Sequence, residues 1–212
     1  MSNPSFPNNA APIKLYWFPL SGHAHRAELM LSLLEIPYET ILVDLKTGEQ
    51  KTPEHLMRHP FGQVPVIDDN GVVIWDSNAI LTYLAKTYDP ARTWLPKDTV
   101  AAAQVQQWLS ISNSLLVDGP AKARLVKVFG AGFDHDETLQ TSADLLTVVD
   151  NHLKNSLYLV SDTPTIADIA LYTYVAHAPE GHVNITSYTA INNWISRIEV
   201  LPHFVAMIRT ET

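Results

Sequence analysis

The chain has 212 residues, 46% of them hydrophobic, and a formal net charge of −8. This length allows one large or two small domains with a sizeable core, and the negative charge argues against a nucleic-acid partner. The absence of cysteine excludes disulfides, a thiolate nucleophile and zinc–thiolate sites. No apolar run approaches the roughly 18 residues that a membrane span needs, and no signal-peptide pattern occurs, so we expect a cytoplasmic protein without a membrane partner.

The first part of the chain predicts a βαβ unit. Residues 1–12, which contain three prolines and three asparagines, predict a flexible tail. Residues 13–18 are apolar and β-favouring, residues 26–35 carry apolar side chains at helical spacing, and residues 38–45 alternate. We therefore expect a strand, a helix and a second strand in this order.

A proline interrupts the next strand-like run, Phe-Gly-Gln-Val-Pro-Val-Ile-Asp at residues 61–68. Proline cannot donate to a central ladder, so Pro65 needs a special reason to stand there. A cis Val64–Pro65 bond supplies one, because it turns the Val64 N–H and C=O away from the sheet and leaves them available to an extended ligand. The alternative is a trans proline on an edge strand. We predict the cis bond.

A hairpin and a helix complete the first domain. Asp68-Asp69-Asn70-Gly71 is a hairpin turn sequence, residues 72–75 favour a strand, and Asp76-Ser77 opens an amphipathic helix that runs to residue 88. With a helix in the short segment that connects the βαβ and ββα units, residues 13–88 follow the βαβαββα order of a thioredoxin-like α/β domain.

The remainder of the chain predicts an all-α domain. Residues 89–97 contain two prolines and predict a stiff linker, and residues 98–212 are helix-periodic almost throughout. Asp98 is the expected N-cap of a helix over residues 99–116, and Asp118-Gly119-Pro120 marks a break. Thr165 and Asp168 have the spacing of a capping box, which makes Asp168 a structural residue rather than a catalytic acid.

Several ordered motifs resemble the cytosolic glutathione transferases. Residues 48–56 and 60–65 are similar to segments of phi-type and related bacterial members, Asp76-Ser77-Asn78-Ala79-Ile80 is similar to their acidic-Ser-x-Ala-Ile signature, and residues 165–170 resemble the capping motif of their helical domain. The resemblance covers roughly residues 13–210. It implies a phi-, zeta- or beta-like member that uses serine rather than cysteine or tyrosine.

The resemblance implies a reaction and partners. Glutathione is the expected co-substrate, its thiolate attacks a hydrophobic electrophile in a detoxification reaction, and the protein forms a homodimer. Glutathione-dependent peroxidase, isomerase and dehalogenase activities use the same thiolate and stay open. So does a non-catalytic glutathione-binding or protein-interaction module of the same fold.

Residues 19–26 form a loop that ends at a helix N-terminus, where unpaired N–H groups and the helix dipole stabilise an anion such as a thiolate. Ser21 is the chosen catalytic hydroxyl, with a plain helix cap as its alternative. The phi-type spacing falls on Gly22, which has no side chain. His23 competes as an imidazole donor to the sulfur. His23 and His25 lack a third ligand, so we predict no metal.

The resemblance also implies a tripeptide pocket. Ser77 and Asp76 would hold the γ-glutamyl end, Val64 with the cis Pro65 the cysteinyl backbone, and Lys51 with Gln63 the glycyl carboxylate. The alternatives are a plain N-cap for Ser77 and Asp76, an idle surface lysine for Lys51, and local backbone hydrogen bonding for Gln63. His55, Arg58 and His59 are interpreted as surface residues. The second-substrate pocket is expected to be lined by Trp108, Ser112, Leu115 and Leu116, for which core packing is the alternative.

Overall fold

The computed structural model describes residues 11–211. The predicted flexible tail, residues 1–12, therefore lies almost entirely outside the described residues. A four-stranded sheet is built from β1 (Ile13–Trp17), β2 (Tyr38–Leu42), β3 (Val66–Asp69) and β4 (Val72–Trp75). Its strand order is β2-β1-β3-β4, with β1 and β2 parallel and the other pairs antiparallel.

Helices cover both faces of this sheet. They are α1 (Gly22–Leu33), the short α2 (Pro53–Arg58) and α3 (Ser77–Tyr88), which confirms the βαβαββα order. Leu15 and Ile67 are opposite each other in the β1–β3 ladder and fully buried, in the same core cluster as residues of α1 and α3. Tyr16 and Val66 belong to a second cluster on the other face. Alternate strand residues thus fill two separate cores.

The predicted cis bond is present between Val64 and Pro65, directly before β3. The hairpin turn between β3 and β4 is also present, with Asn70 and Gly71 at positive φ, as the Asn-Gly pair predicts. Sequence-local turn chemistry therefore accounts for both ends of β3.

The second half of the described chain is helical. Its helices are α4 (Thr99–Ser112), α5 (Lys122–Phe129), α6 (His135–Leu153), α7 (Ile166–Ala176) and α8 (Thr189–Glu199). Asp98 caps α4 as predicted, accepting from the Val100 and Ala101 N–H groups. The helix predicted over residues 99–116 ends earlier, at Ser112. A widened turn, Val117–Ala121, contains Pro120 and leads into α5, because proline cannot continue the regular hydrogen-bond ladder.

Helix α7 lies at the centre of the molecule, and all of its residues are buried. Its first turn has the predicted capping box: the Thr165 N–H donates to Asp168 Oδ2 at 2.8 Å, and the Thr165 hydroxyl accepts from Ala167. The other Asp168 oxygen accepts from the Leu159 N–H and the Trp194 indole at 3.0 and 2.9 Å. Asp168 thus holds α7, α8 and the segment before α7 together.

The two halves share one core. The largest cluster of buried side chains includes residues of β1, α1 and α3 together with residues of α4, α6, α7 and α8. The segment between the halves is anchored too, because Asp89 accepts from Thr93 and Trp94 and the Trp94 carbonyl accepts from Ile166. Within residues 11–211, no helix combines the length and apolarity that crossing a membrane requires.

Candidate functional site

Ser21 lies at the junction of β1 and α1. A turn brings its N–H to the Phe18 carbonyl at 2.9 Å, and its side chain caps α1 by accepting from the Ala24 N–H at 3.2 Å. The cap uses a lone pair of the hydroxyl and leaves its proton available. A capping role and hydrogen-bond donation to an anion are therefore compatible in this one side chain.

Ser77 and Asp76 form the first turn of α3. Ser77 is buried, and the Asp76 carboxylate accepts from the N–H groups of Asn78 and Ala79, both at 3.0 Å. Asp76 has a φ of +72°, a region that non-glycine residues rarely adopt. Such backbone geometry persists where the surroundings hold it, and it is common at functional sites. One Asp76 oxygen carries the cap, which leaves the other for a ligand ammonium.

A polar cluster connects the first turns of α1 and α3. His23 Nδ1 lies 3.1 Å from the Ser77 hydroxyl and 3.0 Å from Arg26 Nη1, and Arg26 Nη1 also donates to Ser77 at 3.1 Å. A guanidinium only donates, so Nδ1 of His23 is an acceptor and its proton is on Nε2. Burial, with a smaller effect of Arg26, lowers the pKa of His23 to about 3. The imidazole is therefore neutral at physiological pH.

Arg26 is a fully buried cation beside this cluster. Its guanidinium carbon lies 5.3 Å from the centre of the Tyr174 ring, and among the described residues its Nε and Nη2 have no hydrogen-bond partner. Burial lowers the pKa of Arg26 to about 10, so it keeps its charge at neutral pH. The region between α1 and α3 therefore has a positive charge and donors to spare, which suits an anionic ligand group.

Val64 lies beside the Ser21 turn, in the same buried cluster as Phe18 and Ala24. Within residues 11–211, neither its N–H nor its C=O has a hydrogen-bond partner. The neighbouring Gln63 carbonyl accepts from His55 Nε2 at 2.8 Å. The Val64 backbone can thus pair with an extended peptide, as the sequence-based argument expects.

The histidines near this backbone are buried, which corrects the interpretation of them as surface residues. His55 is 3% exposed and His59 2% exposed. His55 reaches Gln63 from α2, and the His59 ring lies 4.9 Å from the ring of Trp75. His55 is therefore a residue that supports the candidate site and that sequence reasoning missed.

Lys51 and Gln63 lie on the exposed rim near Val64. The Lys51 ammonium donates to the Phe61 carbonyl at 2.8 Å, which places it over the segment that leads into the cis bond. An ammonium has three donors, so two remain for a carboxylate. The Lys51 ammonium thus contacts the segment 61–64, which contains Gln63 and Val64.

The four residues expected in a second-substrate pocket divide into two pairs. Ser112 and Leu116 are fully buried, and Ser112 is bonded to the Asn78 amide at 2.8 Å. These two are packed in the interior, so they do not line an open pocket, in contrast to the expectation. Trp108 and Leu115 line a cavity of about 440 Å³, whose walls come from α4, α6 and residues 156–160 rather than from the Ser21 loop.

Metal ligation finds no support in the histidine pair of α1. His25 is buried, its Nδ1 lies 2.9 Å from the Thr173 hydroxyl, and its Nε2 lies 2.9 Å from the Val205 carbonyl. Across residues 11–211, no group of three histidine, aspartate or glutamate side chains is arranged to hold an ion. Both nitrogens of His25 serve the packing of α1 against α7 and the C-terminal segment.

Comparison with known proteins decides the family. A family model described as "Glutathione S-transferase, N-terminal domain" matches residues 11–86, and "Glutathione S-transferase, C-terminal domain" matches residues 133–202. "Glutathione S-transferase F11" of Arabidopsis thaliana is 32% identical over 201 residues, covering 90% of this chain and 94% of that protein. The chain belongs to the glutathione S-transferase family.

Solved structures of the glutathione S-transferase family have the same architecture. A glutathione S-transferase from Pseudomonas fluorescens matches with a TM-score of 0.87 and 31% identity, over 93% of this chain and all of that one. A glutathione transferase homologue from Drosophila mojavensis, solved with bound glutathione, matches with a TM-score of 0.82 and 26% identity, over 90% and 89% of the two chains. The matched N-terminal region contains every candidate glutathione contact from Ser21 to Ser77.

Proposed function

We propose that this protein is a glutathione transferase that joins bound glutathione, through its sulfur, to a hydrophobic electrophile. The observation that carries the proposal is a group of unsatisfied polar groups around the N-termini of α1 and α3. They are the Ser21 hydroxyl proton, the backbone of Val64 before β3, and the buried Arg26 guanidinium beside Ser77. Glutathione offers a thiol, an extended backbone and a carboxylate to match them.

The γ-glutamyl end is proposed to bind at α3. Its carboxylate would accept from the Ser77 N–H and, if the hydroxyl turns away from His23 Nδ1, from the Ser77 hydroxyl as well. Arg26 lies close behind, and the ammonium would pair with the free Asp76 oxygen. The cysteinyl backbone would pair with both polar groups of Val64, next to Pro65. The glycyl carboxylate would meet Lys51 and Gln63 on the rim.

The thiolate is proposed to lie at the N-terminus of α1, where Ser21 donates its hydroxyl proton to the sulfur. This hydrogen bond and the positive helix end favour the charged form and so lower the thiol pKa. The thiol proton leaves to solvent. The sulfur lone pair forms a bond to the electrophilic carbon, and the leaving group departs with the electron pair of the bond that breaks.

The electrophile has to reach the thiolate at the N-terminus of α1. Trp108 and Leu115 offer apolar surface to a hydrophobic electrophile, although the cavity that they line has no wall from the Ser21 loop. Ser112 and Leu116 are buried and offer no such surface. We also propose a cytoplasmic homodimer with α3 and α4 at the interface, as in the resembling cytosolic members. Residues 13–88 would be the glutathione-binding domain and residues 98–212 the helical domain, joined by the linker 89–97.

The test is binding to glutathione resin followed by a conjugation assay with an activated chloronitrobenzene. Retention with turnover supports the transferase, and Ser77→Ala should weaken retention. Retention without turnover on several electrophiles would favour a glutathione carrier, and no retention would favour an interaction module. A sedimentation mass near 23.6 kDa, the mass of one chain, would contradict the proposed homodimer.

A further inference from the structure

A buried arginine of the helical half reaches the loop that precedes Ser21. Arg124 on α5 is 2% exposed, and its Nη1 donates to the Leu20 carbonyl at 2.8 Å across 104 residues of sequence. The other end of the same peptide group is also fixed, because the Ser21 N–H donates to Phe18 at 2.9 Å. The peptide plane directly before Ser21 is therefore held by hydrogen bonds on both of its polar groups.

Arg124 is itself held in place by a buried carboxylate. Its Nε donates to Glu180 Oε2 at 2.7 Å, and that carboxylate also accepts from the Thr210 hydroxyl at 2.6 Å and from His177 Nδ1. Glu180 is 5% exposed. The short helix that carries Glu180, Ala178–Gly181, packs directly on α5, since a β-carbon at Gly181 would lie 2.5 Å from the backbone nitrogen of Arg124. The guanidinium has little freedom to leave Leu20.

Burial of the Arg124–Glu180 ion pair has a desolvation cost in the free energy of folding. Desolvating a guanidinium and a carboxylate costs several kcal/mol each, and apolar residues of similar volume often stabilise a fold as well or better. One donor of Arg124, Nη2, has no hydrogen-bond partner among the described residues. The presence of this network is therefore weak evidence that it stabilises the fold. Its hydrogen bonds lead to the loop that carries the candidate catalytic residue Ser21.

We propose that Arg124 is a positioning residue for the conjugation reaction: it fixes the Leu20–Ser21 peptide and thereby the direction in which Ser21 presents its hydroxyl to the bound thiolate. The inference rests on the proposed function and deepens it. Arg124 acts through the loop and needs no contact with glutathione. Without it, the loop samples orientations in which the Ser21 proton points away from the sulfur.

The electrostatic surroundings of this loop matter for the readout, because the thiol pKa reports on all of them. Tyr174 on α7 stays neutral, since burial raises the pKa of its hydroxyl, although Arg26 and Arg124 oppose that rise. The lowered pKa of His23 makes that group neutral as well. Arg26 on α1 and Asp76 before α3 are the charged groups on one side of the loop, and Arg124 with its partner Glu180 lies on the other. Glu180 also contacts His177, whose pKa burial lowers and which lies near Arg209.

The test compares Arg124→Gln with Lys127→Gln in the full-length protein. Both changes remove one positive charge from α5, but Lys127 is exposed. The apparent pKa of bound glutathione is measured from thiolate ultraviolet absorbance against pH, together with kcat and KM for glutathione. For Arg124→Gln we expect a pKa raised by about one unit and a kcat at neutral pH reduced roughly tenfold, with KM within about twofold. Lys127→Gln should resemble the wild type.

Circular dichroism and thermal unfolding identify a variant that does not fold, and in that case Arg124→Gln/Glu180→Gln, which leaves no unpaired carboxylate, is measured by the same criteria. A folded variant with the thiol pKa and kcat of Lys127→Gln would overturn the role of Arg124 alone. A wild-type protein that shows neither bound thiolate nor turnover would overturn the proposed function, and this inference with it.

Discussion

The imidazole of His23 and the hydroxyl of Ser77 lie 3.1 Å apart, although 54 positions separate them in the chain. This contact joins the first turn of α1 to the first turn of α3, and Arg26 closes the cluster by donating to both. The two positive helix ends therefore lie side by side in one region, which suits an anionic ligand group. His23 belongs to the part of this region that we assign to the γ-glutamyl carboxylate.

This placement predicts the effect of His23→Ala. Because the imidazole is neutral and its Nδ1 is bonded to Ser77 and Arg26, its removal should loosen the γ-glutamyl subsite. We expect KM for glutathione to rise severalfold while the pKa of the bound thiol stays unchanged. Steady-state kinetics with a thiolate titration measures both quantities. A large rise in the thiol pKa with unchanged KM would instead identify His23 as the partner of the sulfur.

Gly22 explains why the phi-type serine position is not used. A β-carbon at Gly22 would lie 2.7 Å from the ring carbon of Tyr174 that bears the hydroxyl, so no larger residue fits without displacing the ring. Gly22→Ser should therefore lower the melting temperature, and in the background of Ser21→Ala it should not restore activity. Gly22→Ser/Tyr174→Ala, in which the ring is absent, is the control. Recovery of turnover by Gly22→Ser in the Ser21→Ala background, with Tyr174 intact, would refute the steric argument.

His25 predicts a loss of stability in acid. Burial lowers its pKa from 6.5 to about 4, with smaller opposing and reinforcing effects of the Val205 carbonyl and His177. Below pH 6.5 the unfolded state binds a proton that the folded state does not, so stability falls as the pH falls from about 6.5 to about 4. The contribution of this group is at most about 1.4 kcal/mol per pH unit.

Urea unfolding at pH 7, 6 and 5 checks this, with His25→Gln as the comparison. The glutamine variant should be less stable at pH 7, because it loses the paired contacts to Thr173 and Val205, and its stability should depend less on pH. Parallel curves for the two proteins between pH 6.5 and 5 would show that His25 does not titrate in this way.

Asp168→Ala should destabilise the fold by more than an ordinary cap. Loss of a helix N-cap typically costs about 0.5–2 kcal/mol. Here the fully buried carboxylate also accepts from Leu159 and Trp194, and each donor left without a partner adds about 1–3 kcal/mol. We expect a total above about 3 kcal/mol in chemical unfolding, and a smaller loss for Asp168→Asn. A change within the range of a simple cap would mean that water replaces the lost acceptor.

The features that the sequence predicted well depend on neighbours along the chain. The cis Val64–Pro65 bond, the Asn70-Gly71 turn and the Thr165 capping box follow from local backbone chemistry, and the order of the elements follows from hydrophobic periodicity. Contacts between residues that lie far apart in the chain leave no comparable pattern in the sequence. The bond from Arg26 to Ser77 spans 51 positions, and nothing near Arg26 distinguishes it from a surface arginine on an amphipathic helix.

The second-substrate prediction shows the same limit. Helical spacing correctly grouped Trp108 and Ser112 on α4, but it could not tell the face that packs on α3 from the face that borders a cavity. Ser112 is buried because the Asn78 amide reaches across from α3 to bond it. Which face of a helix is open depends on the elements that pack against it, and the sequence alone does not show which elements these are.

The central claim is that the Ser21 hydroxyl stabilises the thiolate of bound glutathione, and thiolate absorbance against pH for the wild type and Ser21→Ala tests it most directly. The lost hydrogen bond to a charged group, worth about 1.5–3 kcal/mol, should raise the thiol pKa by one to two units and reduce turnover near neutral pH roughly ten- to hundredfold. Glutathione affinity should change little, and higher pH should restore part of the rate. A Ser21→Ala protein that is folded, binds glutathione and keeps the wild-type thiol pKa would contradict the account.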